Sequence, residues 1–355
     1  MMASTFELWL TPTITLSLVL ESESDVPSLS RFVSQWLLYF RPALLRQALA
    51  YEVEQRPDLD IVSAGTLRIV DYAYWRMIRA QQKELYQPIP SNSLAYDLAL
   101  LEGIEVPSVE HDLLTTALDR VLSTYALAEA VQTAADEPFP DDGSRDEELR
   151  KLWRSLKPDK ELPGITGKHW QEIGFQNVAP STDFRGVGIL GLNSLLYFAH
   201  TYGDRAAEIT TEAVDGGERW YPFALASIHM TAFALELATS RDLQLFLLRS
   251  VQARRLSSPA STPATPTTST PQANGTGNSS RTSKEDVDLE PFLRIASDLL
   301  LLFHAHWQQG NFTVMQFEQV EKAFRAALRP WIRRGILDGR ALGWEKWDEG
   351  QVKLD

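Results

Sequence analysis

Residues 223–239, FALASIHMTAFALELAT, are apolar on nearly all faces of the helix they would form. Such a helix has no polar side to turn toward water, so other elements have to surround it. The chain supplies them. Leu113, Leu114, Leu118, Val121, Leu122 and Tyr125 share one face of a helix over 109–134. Phe292, Ala296, Leu299, Phe303 and Trp307 recur at intervals of three and four, as do Phe317, Val320, Phe324 and Leu328. That spacing is the signature of amphipathic helices with a common core, and the expected fold class is all-α.

The organisation follows from where this pattern breaks. Residues 1–135 are expected to form a helical N-terminal region, with two helices or one helix kinked at Pro42 over 28–51, and a further helix over 64–86. A short strand is expected near its start, where Thr13, Thr15 and Ser17 alternate with Ile14, Leu16 and Leu18. The acidic, turn-rich stretch DEPFPDDGSRDEE at 136–148 is expected to be a solvated connector. A second helical domain is expected over 149–340, with helices at 187–202 and 223–239 and a disordered Ser/Thr/Pro insertion at 257–284. Residues 341–355 form a tail whose two tryptophans are expected to fold back onto the domain.

Composition narrows the function. The formal net charge is −13 with no long basic run, which works against nonspecific binding to nucleic acid. The absence of cysteine removes disulfides, thiol nucleophiles and cysteine metal sites together. The N-terminal apolar stretch has no preceding basic residue and no small-residue cleavage site, so it is expected to be folded rather than exported. A cytoplasmic protein is expected. On that reading the sequons at Asn274 and Asn278 do not meet the glycosylation machinery.

Gly186, Gly188 and Gly191 spell G-x-G-x-x-G, but the residues before them, NVAPSTDFR, are no buried strand, and the dinucleotide motif needs one. Packing against a neighbouring backbone is the expected role of these glycines. Gly164-Ile165-Thr166-Gly167-Lys168-His169 lacks the spacing of a phosphate loop and the Ser or Thr after the lysine; a polar turn leading to Trp170 is expected. His304 and His306 lie two apart on one helix, roughly 200° around it, and cannot share a metal from there. His111, His169, His200 and His229 show no ligand spacing, so no metal or other cofactor is expected.

Arg185 stands apart. Ser181, Thr182 or Asp183 is placed to cap the helix that runs through Leu190, Leu195 and Phe198, which puts Arg185 in or beside its first turn. A cation there opposes the helix dipole by a few tenths of a kcal/mol, up to about 1. An ion pair between Asp183 and Arg185 is one account of it; reach toward another molecule, past the bare backbone of Gly186, is the other.

The stretch from Trp153 to Phe198 resembles the signature region of the ELMO-domain family. Its motif positions are Trp170, Gly174, Phe175, Gln176, Pro180, Asp183, Phe184, Arg185, Gly186, Gly188, Leu192 and Leu195. The resemblance implies a GTPase-activating protein for small GTPases of the Arf and Arf-like families, with the motif arginine, here Arg185, as catalytic finger. It implies that magnesium and nucleotide belong to the partner. The alternative is a non-catalytic adaptor that binds a GTPase or a DOCK-type exchange factor. Gln176 is expected to be a buried structural amide, with hydrogen bonding at the interface as the other role. Peripheral contact with an internal membrane, through the helix from Trp36 to Tyr51, is a further expectation, against core packing of that helix.

Overall fold

A computed structural model of the chain describes residues 44–55, 62–80, 91–140, 142–215, 217–257 and 287–343. The expected N-terminal strand, the helix before Leu44, the insertion from 258 onward and the tail beyond Gly343 lie outside these residues. Among the described residues every regular element is helical. Helices α1 (Leu44–Gln55), α2 (Ala64–Ala80), α3 (Ser91–Glu102) and α4 (Val109–Asp136) come first. They are followed by α5 (Asp146–Leu156), α6 (Gly188–Tyr202), α7 (Asp204–Val214), α8 (Phe223–Thr239), α9 (Gln244–Ser257), α10 (Glu290–Gln309) and α11 (Phe317–Ile332). Short 3-10 turns at Lys168–Ile173 and Pro180–Gly186 lie between α5 and α6.

Helix α4 begins where its capping residue allows. Ser108 accepts a hydrogen bond from the His111 N–H at 3.1 Å, and Glu110 and Asp112 place negative charge in the first turn. Its 28 residues run for about 42 Å at the helical rise, long enough to serve two apolar clusters. Leu113 to Tyr125 pack with α1, α2 and α3 in the smaller one, whereas Leu127 and Val131 belong to the larger, built on α5 to α11. Tyr125 also reaches back to α2, donating its hydroxyl to Asp71 Oδ1 at 2.6 Å. Asp71 is buried and takes two more donors from the turn into α9, Arg241 at 2.7 Å and Gln244 at 2.9 Å. Burial pushes its carboxyl up while Arg241 pulls it down. Arg241 adopts φ 63° and lies over the rings of Trp75 and Tyr125, so a strained backbone is held by contacts from α2 and α4.

Helix α8 is central, as its composition requires, and packs against α4, α6 and α10. By length and composition Gly217–Thr239 would also suit a bilayer, yet the faces of α8 are covered by helices. Its few polar groups find partners: the Thr231 hydroxyl donates to Ser227 O at 2.9 Å, and His229 Nδ1 lies 2.6 Å from Glu321 on α11. Phe292, Ala296, Leu299, Phe303 and Trp307 on α10, and Phe317, Val320, Phe324 and Leu328 on α11, are all buried as their spacing predicts.

Asp298 on α10 is a second acid that this packing takes largely out of water. Burial lifts its carboxyl to about 7, against the opposing pulls of Arg294 and of the Tyr202 hydroxyl, which lies 3.4 Å from Oδ1. A carboxyl that titrates near 7 when folded and at 3.8 when unfolded takes up a proton on folding. The cost is absent below the unfolded value, grows between the two, and is constant above the folded one. Asp298→Asn is therefore expected to raise the melting temperature at pH 8 and to lose that gain as pH falls toward 4, which thermal melts across this range would check.

Candidate functional site

The site is built on a run of interlocked aromatic rings. Trp153 on α5 donates its indole N–H to Lys160 O at 2.8 Å, and Trp170 donates to Ile165 O at 2.7 Å. The two rings meet edge to face at 5.5 Å; Trp170 meets Phe175 the same way at 5.6 Å, and Phe175 meets Phe184 at 5.7 Å. Phe184 finally stacks on Phe139 at 5.4 Å with an interplanar angle of 12°. Trp153, Trp170, Phe175 and Phe184 are all buried. Such pairs add to what burial of the rings already contributes, and they fix the loop between α5 and α6 from beneath. Phe139 is the residue that sequence reasoning missed. It stands in the acidic stretch expected to be wholly solvated, and its one signal was an aromatic between two prolines.

Two motif glycines serve helix starts. Gly174 has φ 87°, and its carbonyl accepts the Leu225 N–H in the first turn of α8 at 3.2 Å. A Cβ there would sit 2.2 Å from Phe223 N. Gly188 has φ 52°, and a Cβ there would sit 2.2 Å from Glu137 O. The same Glu137 carbonyl, at the end of α4, accepts the Ile189 N–H of α6 at 2.9 Å. The expected cap of α6 by Ser181, Thr182 or Asp183 is thus corrected. These residues lie in their own 3-10 turn, opened by the buried Pro180, and α6 has no side-chain cap because a backbone carbonyl already occupies that place.

Asp183 points elsewhere. Its Oδ2 accepts the N–H groups of Gln176 at 2.7 Å and Asn177 at 3.4 Å, and its Oδ1 accepts from Asn177 Nδ2. No ion pair joins it to Arg185, so that account of the arginine is also corrected: the carboxylate is already engaged by the preceding loop. Arg185 is exposed and makes no hydrogen bond or ion pair with any described residue. Gln176 is exposed as well, not buried. Its backbone is held at both ends, the N–H by Asp183 and the carbonyl by Gln171 Nε2 at 3.2 Å, while its own carboxamide has no partner among the described residues. Beside it, Val178 stands 49 % exposed. The turn and the loop before it thus present a guanidinium unpaired among the described residues and a carboxamide held on a clamped backbone, chemistry suited to anionic oxygens on another molecule. Gly186 is exposed, has no positive φ, and offers open space around a would-be Cβ.

The histidines have separate duties. His304 is hydrogen-bonded to Tyr221 at 2.9 Å and to Glu212 at 2.9 Å. His306 packs against Phe312 and Phe324 instead. Among the described residues no three His, Asp or Glu side chains converge on a position for a metal.

The ELMO/CED-12 family profile matches residues 129–321. ELMO domain-containing protein B of Dictyostelium discoideum is 31% identical over 200 residues, covering 54% of this chain and 70% of the relative. ELMO domain-containing protein 2 of Homo sapiens is 39% identical over 118 residues, covering 33% of this chain and 40% of the relative. ELMO domain-containing protein 1 of Mus musculus is 34% identical over 148 residues, covering 37% and 45%. The chain therefore aligns with less than half the length of the human and mouse relatives. No solved structure matches.

The glycines separate by what confines them. Gly188→Ala, with its positive φ and carbonyl clash, is expected to lower stability by about 2 kcal/mol or more. Gly186→Ala, with nothing within 4 Å, is expected to stay within about 0.5 kcal/mol of the parent. Chemical denaturation of the two variants checks the contrast.

Proposed function

Because the chain belongs to the ELMO/CED-12 family, we propose that it binds a GTP-loaded small GTPase of the Arf or Arf-like group and accelerates GTP hydrolysis by inserting Arg185. The observation that carries this reading is the state of that side chain. Arg185 is exposed, free of any partner among the described residues, and rooted one residue after the buried Phe184. A structural arginine on a rigid turn would be expected to use some of its five donors. This one keeps all of them for a partner.

The chemistry suits the residue. As the γ-phosphoryl group moves to water, negative charge spreads over its oxygens, and an arginine supplied in trans stabilises that charge. The effect is worth about 10³ to 10⁵ in rate, or roughly 4 to 7 kcal/mol. The guanidinium fork matches paired oxygens where a lysine ammonium does not. Nucleotide, magnesium and the attacking water are the partner's. The chain supplies a cation and the shape that admits it. Gly186, without a side chain to stand between the turn and the partner, leaves room for close approach. The carboxamide of Gln176 has both donors and an acceptor to offer the partner's surface.

In single-turnover hydrolysis with a panel of purified Arf and Arf-like GTPases, the intact chain is expected to accelerate at least one of them. Arg185→Lys is expected to cut the maximal rate at least tenfold while GTPase binding and the melting temperature stay unchanged. Gln176→Ala is expected to weaken stimulation several-fold, also without loss of stability. Stable binding with no stimulation anywhere in the panel would favour an adaptor, and capture of a DOCK-type factor would support that reading further.

A further inference from the structure

The Arg185 side chain has no hydrogen bond or ion pair among the described residues, so the backbone of the 180–186 turn decides where it leaves the surface. In a 3-10 turn successive side chains point about 120° apart. Asp183, Phe184 and Arg185 accordingly take three directions: into the 176–177 loop, into the core, and into solvent. Phe184 fixes depth, because its ring is held between Phe139 and Phe175. A single buried ring still lets the turn pivot about it. Asp183 supplies the second fixed point. Its two oxygens take three donors from residues 176 and 177, and its Oδ1 lies 3.5 Å from the Thr182 hydroxyl. Gln176 and Asn177 follow directly on Phe175, which is itself locked in the core.

We infer that Asp183 is a positioning residue for Arg185: its carboxylate latches the turn to the 176–177 loop and so sets the direction in which the guanidinium meets the partner's phosphate. This rests on the finger role proposed above. Asp183 itself faces its own chain and does not touch the nucleotide. The latch lies at the surface, where hydrogen bonds add little net stability. Its loss is therefore expected to show in rate rather than in folding, since a misdirected catalytic group loses the advantage of preorganisation. Asparagine is the informative replacement, being of the same size with a single acceptor oxygen, which cannot serve both the backbone N–H groups and Asn177 Nδ2.

The test is a double-mutant cycle in single-turnover GTP hydrolysis with the full chain and the Arf-group GTPase that it stimulates best. Asp183→Asn is expected to lower the maximal rate at least tenfold, with the half-saturating concentration within threefold of the parent. On the Arg185→Lys background the same change is expected to cost less than twofold, because there is no guanidinium left to aim. Asn177→Ala, which removes one arm of the latch, is expected to slow the reaction several-fold with the melting temperature intact; it stands in should Asp183→Asn fail to fold. An equal loss on the Lys background, or a change confined to the half-saturating concentration, overturns the positioning role and leaves the finger in place. An unchanged rate for Asn177→Ala in a folded protein does the same. An unchanged rate for Arg185→Lys alone removes both.

Discussion

A buried helix start needs an acceptor for N–H groups that its own turns cannot satisfy, and α6 and α8 meet that need with backbone rather than side chains. The Leu225 N–H of α8 goes to Gly174 O, and the Ile189 N–H of α6 goes to Glu137 O. Carbonyls can come so close only where the chain has no Cβ in the way, which fixes glycine at 174 and 188. In the second case the carbonyl end of α4 abuts the amide end of α6, an arrangement that the two helix dipoles also favour. These two contacts hold the loop between α5 and α6 near its middle and where it enters α6. The aromatic rings beneath then determine which residues of that loop are buried and which are presented.

Much of the fold was legible because helical periodicity is local. The faces of α4, α10 and α11 were read from spacing alone, and the central place of α8 followed from its lack of a polar side. Contacts between distant parts of the chain were not legible in this way. Nothing near Asp71 announces that Arg241 and Gln244, about 170 residues on, will share its carboxylate. Nor does an acidic, proline-flanked stretch announce that Phe139 will stack on Phe184. The motif residues were legible as a set, but their division of labour was not. Trp170, Gly174, Phe175, Pro180, Phe184 and Gly188 are buried, and Gln176, Arg185 and Gly186 are exposed. The cap assigned to residues 181–183 failed for an instructive reason: residue preference identifies side chains that can cap, but not a carbonyl from another helix that has taken the place.

The four glycines of this region finally separate two kinds of constraint. At 174 and 188 a side chain would collide with backbone from another element, and at 191 with the rings and methyls of Phe184 and Val187 at 2.7 Å. For these three the fold itself is sufficient explanation. At 186 nothing within the molecule objects to a larger residue, and the backbone there does not need a positive φ. If intramolecular packing were the whole account of the motif, residue 186 would be free to vary in size. Under the proposed function the open space at 186 serves the partner, whose surface can approach the backbone beside Arg185 closely. The guanidinium likewise completes no hydrogen bond or ion pair with any described residue, and under the proposed function it is the partner GTPase that uses it.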